Sequence, residues 1–496
     1  MEKLKTESGN GETEIQNNIS ENGQKEKYKL MEKELMLYNE KQKIETEKRQ
    51  MEKYRLMEEE LLHPIQKIGL AGKVWIGFLV VICLAGLYAY YIQETKSKYE
   101  TISLRDYTMW GVYISTFVFY VALSLIGALM SATLKLIKFE WYRPLSRIAE
   151  IIAVASIMLA GVCIVAAMGR PERLYYLFIY GRIQSPIVWD VIVILTYITA
   201  SFLLLFIPLL PGIAICRDRL TNKPAWQKLM YRKLSFGWKG SPEQWKIVKK
   251  SLKILAILVI PLGVSIHTVT AWLFASTLRP EWDSTNFGPY FVSGAFSLGA
   301  AAMIVAVYVL RKAYKLEKYL TDKHFDFLGK MLVFLSLCYL YFNINEYLVP
   351  SYKMSTMHAN HLLDLFSGET APTYWLVILF GIAIPAVLPM LPVMRTPLPL
   401  TIIAGFAVIA AWFKRYLIVI PGLSHPFLPI QDVPQSWMHY SPSIVEMTIV
   451  VATFAALLLI ITVFSRLFPI ISIWEVAEGD GFNILKINKP VKKEQV

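Results

Sequence analysis

The sequence predicts an all-α integral membrane protein with about ten transmembrane helices and both termini in the cytoplasm. Three observations carry this expectation. The chain is 55% hydrophobic with a mean hydropathy of +0.42, too apolar for a soluble protein of 496 residues. Ten apolar stretches follow one another from Val74 to Phe468. Most supply the roughly 20 residues of helix that cross a hydrocarbon core of about 30 Å, and lipid tolerates no unpaired backbone, so helix is the expected form. Finally, the basic residues gather on alternate loops, and the positive-inside rule then orients the chain.

In chain order, residues 1–63 form a charged cytoplasmic N-terminal segment. Residues 1–26, rich in Glu, Asn, Gly, Ser and Lys, are expected to be disordered. Residues 27–62 alternate Glu and Lys with few breakers and predict a helix, solvated, lying on the membrane surface or docking a partner. His63-Pro64 is expected to stop that helix. No small-residue cleavage site follows the first apolar stretch, so no cleavable signal is expected. The membrane domain covers 64–470, with spans at 74–92, 109–134, 147–168, 186–210, 252–275, 288–311, 325–347, 373–394, 398–414 and 444–468. The ninth is short and reads as tilted, buried or re-entrant. Pro385, Pro389 and Pro392 are expected to break the eighth near its inner end and free backbone carbonyls there. A basic cytoplasmic tail, 471–496, carries Lys486, Lys489, Lys492 and Lys493.

The net charge of +13 is unevenly spread. Loop 211–251 holds a dense run that includes Arg217, Arg219, Arg232, Lys233, Lys249 and Lys250, whereas loop 276–287 has only Arg279 and loop 348–372 only Lys353. Topology and contact with anionic lipid account for this pattern, so no nucleic-acid partner is expected. The cysteines Cys83, Cys163, Cys216 and Cys338 stand alone without CxxC spacing, which predicts no iron–sulfur cluster or zinc held by this chain. Only one span carries a histidine, so haem held between two intramembrane histidines is not expected.

The unusual ionisable residues crowd toward the outer ends of the spans. Asp190 opens the fourth span in Ser185-Pro186-Ile187-Val188-Trp189-Asp190, His267 lies about two-thirds of the way out along the fifth, and Glu346 ends the seventh. Arg415 follows the ninth and Glu446 opens the tenth, while Arg170, Arg279 and Asp283 lie in outer loops. Toward the inner half the main charges are Lys330 and Glu150. Ionisable groups in a membrane face a cavity or a partner, so their shared level predicts a polar site near the outer leaflet. Asp190 also reads as a structural first-turn acid favoured by the helix dipole, and His267 as a helix-packing residue. His358 and His361, one helical turn apart, lack an evident third ligand, so no metal site is expected.

Several segments, in order, resemble the NrfD/PsrC family of membrane subunits, with the nearest likeness to the ten-helix type of alternative complex III. They are Trp110-Gly111-Val112-Tyr113-Ile114, Glu140-Trp141-Tyr142-Arg143-Pro144, Gly169-Arg170-Pro171, the Asp190 segment, Ser265-Ile266-His267-Thr268, Phe287-Gly288-Pro289-Tyr290, Lys414-Arg415-Tyr416 and Trp437-Met438-His439-Tyr440. The resemblance covers roughly residues 64–475. It implies two four-helix bundles, spans two to five and six to nine, flanked by spans one and ten. It implies a quinone-interacting subunit of a respiratory oxidoreductase in a prokaryotic cytoplasmic membrane, with menaquinone or a related quinone and no haem of its own. Electrons would be exchanged with an iron–sulfur subunit on the extracytoplasmic side, linked to a molybdopterin catalytic subunit, and other membrane subunits would accompany it. Asp190 and His267 would act on the quinone, with Arg170, Arg415 and Asp283 completing its site. Glu346, Glu446 and Lys330 would carry protons. Ala167 and Leu125 stand where related sequences often have histidine. A secondary transporter or ion channel, with paired broken helices around a midplane site, and a purely structural anchor are the competing readings.

Overall fold

The computed structural model describes residues 3–66, 68–96, 101–105, 108–137, 143–277, 279–353, 355–425, 427, 431–434, 437 and 439–482. Most of the tail with its four lysines, Glu140-Trp141-Tyr142 and Met438 lie outside the described residues. Among those described, ten helices are long and apolar enough to cross a membrane, and none forms a strand. The spans are Leu70–Thr95, Val112–Leu136, Arg143–Ala167, Pro186–Arg219, Pro242–Ala275, Phe287–Tyr314, Asp322–Lys353, Ala371–Met390, Pro397–Ser424 and Ile444–Leu467. The chain is a multi-pass membrane protein.

The chain divides into two units, Met1–Glu60 and Leu61–Val496. The first belongs to one helix, Lys3–Gln66. Its backbone is helical even over the residues whose composition predicted disorder, and no proline before Pro64 bars it. Arg49 reaches Glu45 at 2.7 Å, an i,i+4 pair that supports an exposed helix.

In the membrane unit, Pro64 does not stop this helix, which runs on to Gln66. The orphan carbonyls of its last turn are satisfied from the bundle: Arg466 donates to the Pro64 carbonyl at 2.8 Å and Lys223 to that of Ile65 at 2.6 Å. The second span is central, with 94% of its apolar window buried, whereas the first and tenth, at 11% and 22%, are the flanking pair.

Helix approach depends on small residues, as expected where lipid gives helices no hydrophobic drive to associate. A Cβ on Gly127 would stand 2.0 Å from the Ala149 carbonyl oxygen, and one on Gly86 would stand 2.1 Å from Ala452 Cβ. Gly127→Val should therefore push the second and third spans apart at a cost of about 1–3 kcal/mol. Thermal unfolding of the detergent-solubilised protein measures this, and an unchanged midpoint would contradict so close an approach.

Two spans differ from their sequence reading. The eighth is broken, but the irregularity begins before its prolines, with a π-turn at Leu379–Ala383 and then 3-10 turns at Leu388–Met390 and Pro392–Arg395. The ninth is neither short nor re-entrant: it runs unbroken for 28 residues, Pro397–Ser424, straight through Lys414 and Arg415. Both side chains are buried against neighbouring helices, so the charges that suggested an end lie inside the bundle.

Candidate functional site

The fourth span starts at Pro186, whose fixed φ and missing N–H suit a first turn. One turn later Asp190 is buried, and Thr270 of the fifth span donates to its Oδ1 at 2.6 Å. Asp190 lies on the wall of a cavity of about 770 Å³, within the range of small-molecule sites. Trp110, Tyr113, Ile114, Phe117, Ile164 and Phe274 give that cavity flat, apolar walls, and Arg173 and Arg182 of the third–fourth connection add positive charge. Tyr113 is held in place by donating to Gln93 Oε1 at 2.6 Å, and Gln93 in turn donates to the Ala166 carbonyl at 2.9 Å.

The other expected site residues do not all meet here. His267 is fully buried and is not on the cavity wall; its Nδ1 bonds the Gly263 carbonyl at 2.9 Å, while Nε2 has no hydrogen-bond partner among the described residues. Arg415 is buried, donates to the Ala411 carbonyl at 3.3 Å and lies within electrostatic reach of His267, Tyr339 and Tyr290. It therefore lies among packed helices instead of standing at the outer interface. Arg170 is exposed and precedes the short 3-10 turn Pro171–Arg173, and Arg173 is the residue that reaches the cavity. Asp283 accepts from His358 at 3.3 Å and lines a different groove, of about 840 Å³, between the fifth, sixth and seventh spans.

The three residues expected to carry protons occupy separate places. Glu346 accepts from Ser284 Oγ at 2.6 Å and Asn286 Nδ2 at 2.9 Å, pinning the entry to the sixth span. Glu446 closes a capping box with Ser443 and also accepts from Tyr440 Oη at 2.8 Å and the Ser103 amide at 3.1 Å. Burial and this carboxylate push the Tyr440 phenol well above its usual range. Lys330 is exposed and pairs with Asp326 at 2.7 Å, one turn back on its own helix.

The two positions that lack histidine are filled differently. Ala167 lines the 770 Å³ cavity. Leu125 is fully buried, with Cδ1 2.8 Å from where a Cβ on Gly263 would stand, so it occupies the notch that the glycine leaves.

Sequence reasoning missed a second buried cluster. Lys414 Nζ donates to Tyr347 Oη at 2.5 Å and sits 5.0–5.5 Å from the ring centroids of Tyr290, Tyr347 and Tyr374. Tyr347 donates to Glu281 Oε1 at 3.2 Å, and His361 Nε2 meets Glu281 Oε2 at 3.1 Å. The adjacent Trp282 donates to the Ile418 carbonyl at 2.8 Å and stacks on Trp110 at 5.8 Å, on the wall of the first cavity. The available signal is Lys414-Arg415 inside an apolar run, two charges whose pattern also suits a helix end.

Ten membrane-spanning helices, with an apolar, carboxylate-bearing cavity of small-molecule size at one end of the second to fifth, define a multi-pass membrane protein. The family model for polysulphide reductase NrfD matches residues 100–426, and the chain belongs to that family. It is 26% identical over 369 residues, 72% of this chain and 79% of the relative, to a protein of Halobacterium salinarum named as a dimethyl sulfoxide reductase membrane subunit. It is 22% identical to a selenate reductase subunit of Mesobacillus selenatarsenatis, a match over 80% of this chain and 94% of the relative. It is 23% identical to the Hdr-like menaquinol oxidoreductase integral membrane subunit of Archaeoglobus fulgidus, over 79% and 93%.

Proposed function

We propose that this chain is the quinone-interacting membrane subunit of a multi-subunit respiratory oxidoreductase in a prokaryotic cytoplasmic membrane. The observation that carries this reading is Asp190, a buried carboxylate on the wall of a 770 Å³ apolar cavity, oriented by Thr270. Family membership and the names of the three relatives, each a subunit of a reductase or oxidoreductase, support it. The menaquinol in one of those names makes a menaquinone-type ligand the expected one.

The residues present fit such a ligand. Trp110, Tyr113 and Phe117 offer aromatic faces to a ring, and the remaining apolar wall suits an isoprenoid tail. A bound quinol supplies two electrons and two protons. Thr270 fixes the Asp190 rotamer, and the carboxylate accepts a proton from the ring hydroxyl as a general base. Arg173 and Arg182 favour the negative charge that develops as the proton leaves. An iron–sulfur subunit docked over the Asp190 end, on the extracytoplasmic side opposite the basic loop 211–251, would take the electrons, and a molybdopterin subunit would lie beyond it. The same chemistry run backwards would reduce quinone.

A photoreactive quinone analogue tests the location. In the assembled complex it should label peptides containing Trp110–Phe117 or Met168–Asp190, and excess quinol should suppress that labelling. Labelling confined to the groove of Phe287, Phe334 and Phe342 would overturn the assignment.

A further inference from the structure

The cluster on Lys414 is a connected chain of exchangeable protons, and it does not belong to the cavity of Asp190. It passes from the ninth span (Lys414) to the seventh (Tyr347), to the loop before the sixth (Glu281), and then to the helix Thr356–Ser367 (His361). The links are 2.5, 3.2 and 3.1 Å, and all four residues are buried. His361 Nδ1 has no hydrogen-bond partner among the described residues, and the ring of the partly exposed His425 lies 5.7 Å away. One end of the chain therefore approaches the surface, and the other starts from Lys414, whose backbone lies ten residues, about 15 Å of helix, before the end of the ninth span.

The deep end also has a source side. Lys414 and Arg415 border a gap of about 10 Å³, room for about one water, with Ser297, Tyr339, Gly381 and Ile382. Ser297 and Ser336 are hydrogen-bonded at 3.1 Å just beyond it. Gly381 and Ile382 belong to the π-turn Leu379–Ala383, a local departure from α geometry often found at functional sites. Glu281 itself is held at φ +76°, a conformation costly for a residue with a Cβ and retained when surrounding contacts over-determine it.

We propose that Lys414, Tyr347, Glu281 and His361 form a proton relay between the interior of the second bundle and the membrane face on which Asp190 lies. In one passage, the Lys414 ammonium gives a proton to Tyr347 Oη as the phenol proton moves to Glu281 Oε1. Glu281 passes a proton from its carboxyl to His361 Nε2, and the imidazolium releases one from Nδ1 toward His425. Lys414 is recharged from the Ser297 side, so one proton enters and one leaves. The groups that face this chain are Glu346, Arg415, Tyr290, Tyr339 and Tyr374. Trp282, next in sequence to Glu281, stacks on Trp110 of the wall of the proposed quinone cavity, so the relay and the cavity are neighbours. This relay goes beyond the quinone reading.

The test uses the whole complex in sealed vesicles, with protons released per electron recorded alongside quinol-linked turnover, for wild type, Glu281→Gln, Tyr347→Phe and Glu281→Asp. We expect Glu281→Gln and Tyr347→Phe to lower the proton-to-electron ratio by about one proton per two electrons while turnover stays above half of wild type, and Glu281→Asp to restore the ratio. An unchanged ratio in both disabling variants would overturn the relay. A second measurement decides the matter where a variant abolishes turnover: infrared titration of the purified complex with pH. A carboxyl band removed by Glu281→Gln and displaced by Lys414→Met supports the relay, and a band indifferent to Lys414→Met refutes it. Were the wild-type complex inert toward quinol, the quinone reading would fall and the infrared titration would still judge the relay.

Discussion

Asp190→Asn should lower quinol-linked turnover of the assembled complex by about 10²- to 10⁴-fold, the usual contribution of a positioned general base. The substitution is nearly isosteric. Its amide oxygen can still accept from Thr270 Oγ1, so the packing of the fourth span on the fifth should survive. What is lost is the ability to take a proton at the cavity wall. Activity of the catalytic partner with a soluble dye, which bypasses the membrane subunit, should stay at the wild-type level. Turnover that is unchanged with quinol would remove Asp190 from the chemistry and leave the aromatic walls as a binding surface only.

At the opposite end of the bundle, Lys135→Met should destabilise the protein by about 3–5 kcal/mol, the cost of leaving a buried charge without its partner. Lys135 Nζ lies 2.6 Å from Glu150 and 3.7 Å from Glu475, and its side chain is 11% exposed. Arg147, fully buried, supplies the second cation and donates to the Pro208 carbonyl at 2.8 Å and Ser472 Oγ at 3.2 Å. Glu150 also accepts from Ser131, and Glu475 from Ser146 at 2.9 Å. Lys135→Met thus removes the cation that both carboxylates share. The double variant Lys135→Met with Glu150→Gln removes one carboxylate charge as well and should recover most of the lost stability. Thermal inactivation in detergent measures both, and a single variant as stable as wild type would show that water already reaches the carboxylates.

The residues show where reading the chain succeeds and where it stops. Span number and all-helical architecture follow from hydropathy alone, because lipid leaves the backbone no other option. Asp190 was legible as well, since an acid one turn after Ser185-Pro186 at the head of an apolar run is conspicuous in one dimension. The end of the ninth span was not. A hydropathy window treats Lys414-Arg415 as a cost, and cannot register that Tyr290, Tyr347 and Tyr374 surround the ammonium or that Glu281, 133 positions earlier, lies beyond Tyr347. Pro64 is similar: its helix runs on to Gln66, and its last carbonyls are met by Arg466 and Lys223, far away in the chain.

Local composition was therefore enough to establish a ten-span membrane protein, its family likeness and one carboxylate at the end of a helix. Which ionisable groups share a cavity was fixed by packing. Asp190, near the start of its span, and Asp283, in the loop before the sixth span, line separate cavities, Arg415 is buried among helices, and Glu446 serves as a cap. The physical reason is that solvation by lipid depends on each residue and its near neighbours, whereas the pairing of buried charges depends on contacts between helices far apart in the chain.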